Sequence, residues 1–129
     1  MSMKPLLYLW VKVNWGKRRI ANKYINKAFS LTTTNAVSIY TVPSETVAIV
    51  KTVQGFNDTA SAITVTMAFT DTSATTDYNI GYVSSSTVEQ FSLLTDDLLV
   101  LEESDVLKLT SSAANQITGV ASILEQDRT

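Results

Sequence analysis

Eight consecutive residues, Ile63-Thr64-Val65-Thr66-Met67-Ala68-Phe69-Thr70, alternate large apolar side chains with small or polar ones. A period of two belongs to a half-buried β-strand, and it turns Ile63, Val65, Met67 and Phe69 toward a core. Thr64, Thr66 and Thr70 then face solvent or a partner. The same alternation recurs at Tyr78, Ile80 and Tyr82, at Phe91 and Leu93, and at Ile117, Ala121 and Ile123. Gly119 interrupts the last row and marks a bulge or a close backbone contact. Val47 to Val53 is apolar on both faces apart from Lys51 and Thr52, as expected of a central strand.

Composition agrees with this pattern. From Thr32 onward, Thr and Ser make up 30 of 98 residues, mixed with Val, Ile and Leu. Such a mixture suits pleated surfaces and suits helices poorly. Turn-forming clusters fall at regular intervals, among them Pro43-Ser44-Glu45, Asn57-Asp58-Thr59, Asp71-Thr72-Ser73, Ser84-Ser85-Ser86 and Glu102-Glu103-Ser104-Asp105. The expected fold is therefore all-β, an antiparallel β-sandwich or jelly roll of about 7–8 strands. It is assigned to residues 32–129.

Charge divides the chain differently. Residues 1–31 hold seven of the ten basic side chains and no acid, and both tryptophans, Trp10 and Trp15. Residues 32–129 hold only Lys51, Lys108 and Arg128 against all twelve acids. Residues 1–31 read as a basic, aromatic N-terminal arm on an acidic body, an arrangement suited to docking. Within the arm, Leu7, Leu9, Val11 and Val13 alternate with Tyr8, Trp10, Lys12 and Asn14, which permits a strand. Arg19 to Ala28 permits a short helix with Ile20, Tyr24 and Ala28 on one face. The run before Lys12 is too short for a signal peptide, and no small-residue cleavage site follows it. Alternatively, a purine run like a bacterial ribosome-binding site can encode Lys17-Arg18-Arg19, and translation would then start near Ala21.

Several chemistries are excluded. Without Cys or His there is no disulfide, no thiolate zinc site and no Ser-His-Asp or Cys-His catalytic set. No apolar run reaches the length of a membrane span. Asp96, Asp97, Glu102, Glu103 and Asp105 form the densest acidic group, but Leu98 to Leu101 reads as a strand that separates them, so they are assigned to solvated turns rather than Ca²⁺ ligands. Asp71 and Asp77 flank a hairpin tip. The glycines are scattered and form no phosphate loop. No enzyme activity, cofactor or metal is expected.

Tyr40-Thr41-Val42-Pro43-Ser44-Glu45-Thr46-Val47-Ala48-Ile49-Val50-Lys51 is similar to the opening strand pair of small β-sandwich virion proteins of tailed bacteriophages, especially phages of cyanobacteria and marine bacteria. Asn57, the Thr70-Asp71-Thr72-Ser73 turn, Leu98 to Lys108, Ser112-Ala113-Ala114-Asn115 and Ser122-Ile123-Leu124-Glu125 extend the resemblance over residues 30–126. Glu45 and Ser104 stand where that family usually has Gly, which should alter turn geometry more than function. The resemblance implies a structural component of a phage particle, often oligomeric and without catalytic residues.

The expected role is a capsid decoration (cement) protein in the virion. A neck or tail component is one alternative. A carbohydrate-binding host-attachment module, with Tyr78 and Tyr82 as its sugar platform, is another. Trp10, Trp15, Lys17, Arg18, Arg19 and Tyr24 are the candidate partner-binding residues: aromatic anchors and cations that pair with an acidic neighbouring protein. Other virion proteins are the expected partners. Nucleic acid is not, because the acidic body repels the same backbone the arm attracts. With surplus Val and Leu on both faces of Val47 to Val53 and Leu98 to Leu101, the protein is expected to be a homo-oligomer, a trimer.

Overall fold

A computed structural model describes residues 22–94 and 97–128. Nine strands follow in order: β1 (Asn22–Leu31), β2 (Val37–Thr41), β3 (Thr46–Asn57), β4 (Ile63–Asp71), β5 (Thr76–Ser85), β6 (Glu89–Leu94), β7 (Leu99–Leu101), β8 (Val106–Ser111) and β9 (Ile117–Asp127). No helix forms among the described residues. One sheet runs β1-β9-β3-β6, with β7 also paired to β3; the other runs β2-β8-β4-β5. With β7 set aside, the partners nest as β1 with β9, β2 with β8, β3 with β6 and β4 with β5, all antiparallel. This is one long ribbon rolled up until β9 meets β3 and β8 meets β4, which is the jelly roll.

The inner faces follow the period-two pattern. Ile63, Val65 and Met67 are buried against Leu107 and Leu109 of β8, Ala48, Val50 and Val53 of β3, and Ile117, Ala121 and Ile123 of β9. β3 is central, as expected, with β9 on one side and β6 and β7 on the other. Gly119 is a close contact. A Cβ there would collide with the Gln54 carbonyl and the Phe29 ring, and the facing Gly55 would put one 2.6 Å from the Phe91 ring. Two aromatic rings fill the space that two opposed glycines vacate.

Four expectations need correction. Phe69 is only partly buried; its ring stacks on Tyr78 with centroids 5.7 Å apart. Tyr78, Ile80 and Tyr82 are all exposed and do not form one inward row, because β5 is an edge strand and a register shift between Met67 and Ala68 leaves Ile80 without a partner and puts Tyr78 and Tyr82 on opposite faces. Residues 22–28 are strand, not helix, and the boundary at 31 cuts through the sandwich. β1 pairs with β9 over its whole length and buries Phe29 and Leu31. At Glu45 and Ser104 the backbone is left-handed, the conformation that glycine favours, with φ of 56° and 71°. Both turns bear the strain of a Cβ there.

Buried polar side chains tie the loops together. Asn57, fully buried, donates its amide to Ser85 Oγ (3.2 Å) and the Ser61 carbonyl, while its oxygen accepts the Thr59 N–H at 3.0 Å. Asp105, also buried, accepts N–H bonds from Thr72 (3.1 Å) and Glu102 (2.9 Å). It joins the β4–β5 turn to the β7–β8 turn.

Candidate partner-binding face

The outward side chains of the five-stranded sheet come from the residues between the core positions. Register aligns four of them in one row across the strands: Val100 faces Ile49, Ile49 faces Leu124, and Leu124 faces Tyr24. Val100 is 59% exposed and Tyr24 73%. Ile49 and Leu124 are half-buried between them. An apolar row on the solvent side of a sheet is not needed by the jelly roll, whose core lies on the opposite face. Lys51 sits over one end with its Nζ 5.4 Å from the Tyr24 ring centroid, a cation–π contact. The register shift between Val50 and Thr52 skips Lys51 and frees it from the ladder.

One end of the sandwich beside this row is acidic. Glu45, Glu102 and Glu103 are exposed there and, with Asp105 and Arg128, line an open cleft of about 350 Å³. Glu103 Oε2 accepts the Glu45 N–H at 3.0 Å, which locks the β2–β3 turn against the β7–β8 turn. β1 begins at the same end, with Asn22 opposite Gln126 and the next pair on β9 joining Thr46 to Asp127. The segment carrying five basic side chains and no acid therefore joins the body at its acidic end.

The four-stranded sheet presents a different outer face. Thr64, Thr66 and Thr110 lie on it with Lys108, which pairs with Asp77 at 3.2 Å. Thr70 Oγ1 donates to Asp77 Oδ1 at 2.6 Å; that bond first, and Lys108 second, hold the Asp77 carboxyl below its ordinary range. Tyr82 faces Thr66 on this side, whereas Tyr78 faces Phe69 on the core side. The two tyrosines are on opposite faces and do not form one sugar platform.

At the open edge between the sheets, the Tyr40 hydroxyl donates to Glu125 Oε2. Burial first, and the Glu125 carboxylate second, push the phenol well above its ordinary value.

Of the sequence-derived candidates, Tyr24 is on the apolar row; Trp10, Trp15, Lys17, Arg18 and Arg19 lie outside the described residues. Ile49, Leu124 and Val100 were not among them. The signal for Ile49 was the two-faced apolar stretch Val47 to Val53, whose outward half has no place in the core; Val100 and Leu124 join it only through strand pairing.

No protein-family model matches the chain, and no curated protein matches it. Several solved structures are similar to it in part. A pilus protein of Bacillus endospore appendages is 15% identical over 84% of this chain and 88% of its own, with a TM-score of 0.47. Murine APRIL is 6% identical over 79% of this chain and 98% of its own, TM-score 0.48. A pentameric capsid protein isolated from metagenomic phage sequences is 17% identical over 78% of this chain and 66% of its own, TM-score 0.41. Likenesses of this size carry nothing about what the chain does.

Proposed function

We propose that the chain is a structural protein of a bacteriophage particle, a decoration or cement protein whose jelly roll caps or bridges neighbouring subunits. The observation that carries this reading is the outward apolar row Val100–Ile49–Leu124–Tyr24, a surface the fold itself leaves uncovered. The resemblance of residues 30–126 to phage virion sandwiches supplies the particle. In this reading the arm, with Trp10, Trp15, Lys17, Arg18 and Arg19, adds area and charge to the contact with a neighbour. Linking copies in this way lets avidity offset weak individual contacts. No cofactor, metal or catalytic step enters.

The test is the stoichiometry of the protein in purified particles by quantitative mass spectrometry. Decoration predicts hundreds of copies per particle. A few copies point to a neck, tail or host-attachment role, and absence from particles sinks the virion reading altogether.

A further inference from the structure

We infer that the apolar row of the five-stranded sheet is the seat for the N-terminal segment, residues 1–21, of a second copy of this chain. The inference rests on the proposed docking role of the arm and names the surface that receives it.

Three features select this occupant. The first is charge. The segment carries Lys4, Lys12, Lys17, Arg18 and Arg19 and no acid, and the row ends beside exposed Glu45, Glu102 and Glu103. The second is spacing. Val100 is two residues from Glu102, and Ile49 is four from Glu45; Trp15 is two residues from Lys17 and four from Arg19. At roughly 3.3 Å per extended residue, both separations span about 7–13 Å. With Trp15 over the row, the cations reach the acidic rim. The third is the direction of the chain. β1 enters the sheet at Asn22 on the acidic end, and Lys17 to Ala21 contains no Gly, Pro, Asn or Asp to reverse the backbone. The first turn-former upstream is Gly16, and at roughly 3.3 Å per residue the stretch from Asn22 back to Gly16 can extend up to about 20 Å. Trp15 reaches its own row only if the chain doubles back onto Tyr24, whereas an extended segment carries it toward the row of a neighbour.

Photo-cross-linking of the full chain tests this. Protein carrying Trp15→p-benzoylphenylalanine is co-assembled from equal parts of unlabelled and ¹⁵N-labelled chains, irradiated and mapped by mass spectrometry. The expected cross-links fall in β3, β7 or β9 and join labelled to unlabelled chains in about half of all pairs. Val100→Glu, at an exposed position, lowers the yield at least tenfold, while Ser84→Glu, on the other sheet, leaves it unchanged. Cross-links confined to β2, β4, β5 or β8 overturn the inference. So do cross-links joining only chains of the same label, which make the occupant the chain's own arm, and so does a monomer that gives none. A protein absent from particles that still cross-links as expected sinks the virion role alone. A particle protein that cross-links elsewhere sinks the seat alone.

Discussion

At the scale of single residues, strain and buried charge mark where the chain departs from the simplest solution. Ser104 has φ of 71° and Glu45 has φ of 56° in turns that hold the acidic end together. The Ser104 N–H donates to the Val42 carbonyl at 3.0 Å, and its carbonyl accepts the Thr72 hydroxyl at 2.6 Å. Both bonds use backbone atoms and survive loss of the side chain. Relief of the left-handed strain is worth ~1–2 kcal/mol, against ~0.4–1 kcal/mol for the freer unfolded chain. Ser104→Gly therefore stabilises the protein by about 0.5–1 kcal/mol net, read as a higher urea midpoint with an unchanged slope. Tyr40 gives a second prediction. Its phenol is held above the ordinary value of 10.0 in the folded state. Once pH passes 10, the unfolded chain loses that proton and the folded one keeps it, so stability falls with rising pH. Tyr40→Phe removes this share of the alkaline loss, and denaturation midpoints at pH 9 and pH 11 differ less in the variant than in the parent. An equal fall in both assigns the alkaline loss to other groups.

At the scale of elements, what the sequence made legible depended on whether a strand's neighbours mattered. β4 and β9 could be read directly, because alternation is a local property and charge enters their inward rows only at the C-terminal ends, at Asp71, Glu125 and Asp127. β1 could not. Its inward positions are Lys23, Ile25, Lys27, Phe29 and Leu31, and two lysines in that row hide the strand period beneath a basic composition. The fold tolerates them because β1 is an edge strand where the sheets part, so Lys23 and Lys27 stay exposed while Phe29 and Leu31 reach the core. Charged residues aimed inward on an edge also discourage unwanted strand pairing. The apolar row was illegible for another reason. It exists only through the pairing of β1, β9, β3 and β7, residues up to about a hundred positions apart in sequence, and no local window contains it. A pair of truncations separates strand from arm. Removing residues 1–21 leaves β1 whole and keeps the cooperative thermal transition. Removing residues 1–31 takes away Phe29, Leu31 and the partner of β9, and the remaining chain does not fold. Circular dichroism melts of the two proteins decide it; a folded 32–129 fragment would mean that β1 is an accessory rather than part of the core.

At the scale of the whole molecule, two forces of different range act on assembly. Burial of the apolar row is indifferent to modest salt, because it depends on area removed from water. Attraction between the basic arm and the acidic rim is not. Exposed charges are screened beyond ~10 Å at 0.1 M ionic strength and beyond ~3 Å at 1 M. The body from Asn22 onward carries five basic side chains against twelve acidic ones, so bare bodies repel one another and each arm offsets part of that repulsion. The expected solution state is a homo-oligomer, a trimer, rather than a 14.1 kDa monomer. Sedimentation equilibrium of the full chain at micromolar concentration should give a mass that falls between 0.05 M and 0.5 M NaCl. A protein lacking residues 1–21 should start lower, and its mass should hold or rise over the same range, since salt there screens only repulsion. Opposite salt responses from the two proteins assign the long-range attraction to the arm. Identical responses would place all of the association in the sandwich, and a full-length monomer at low salt would remove the oligomer from the account.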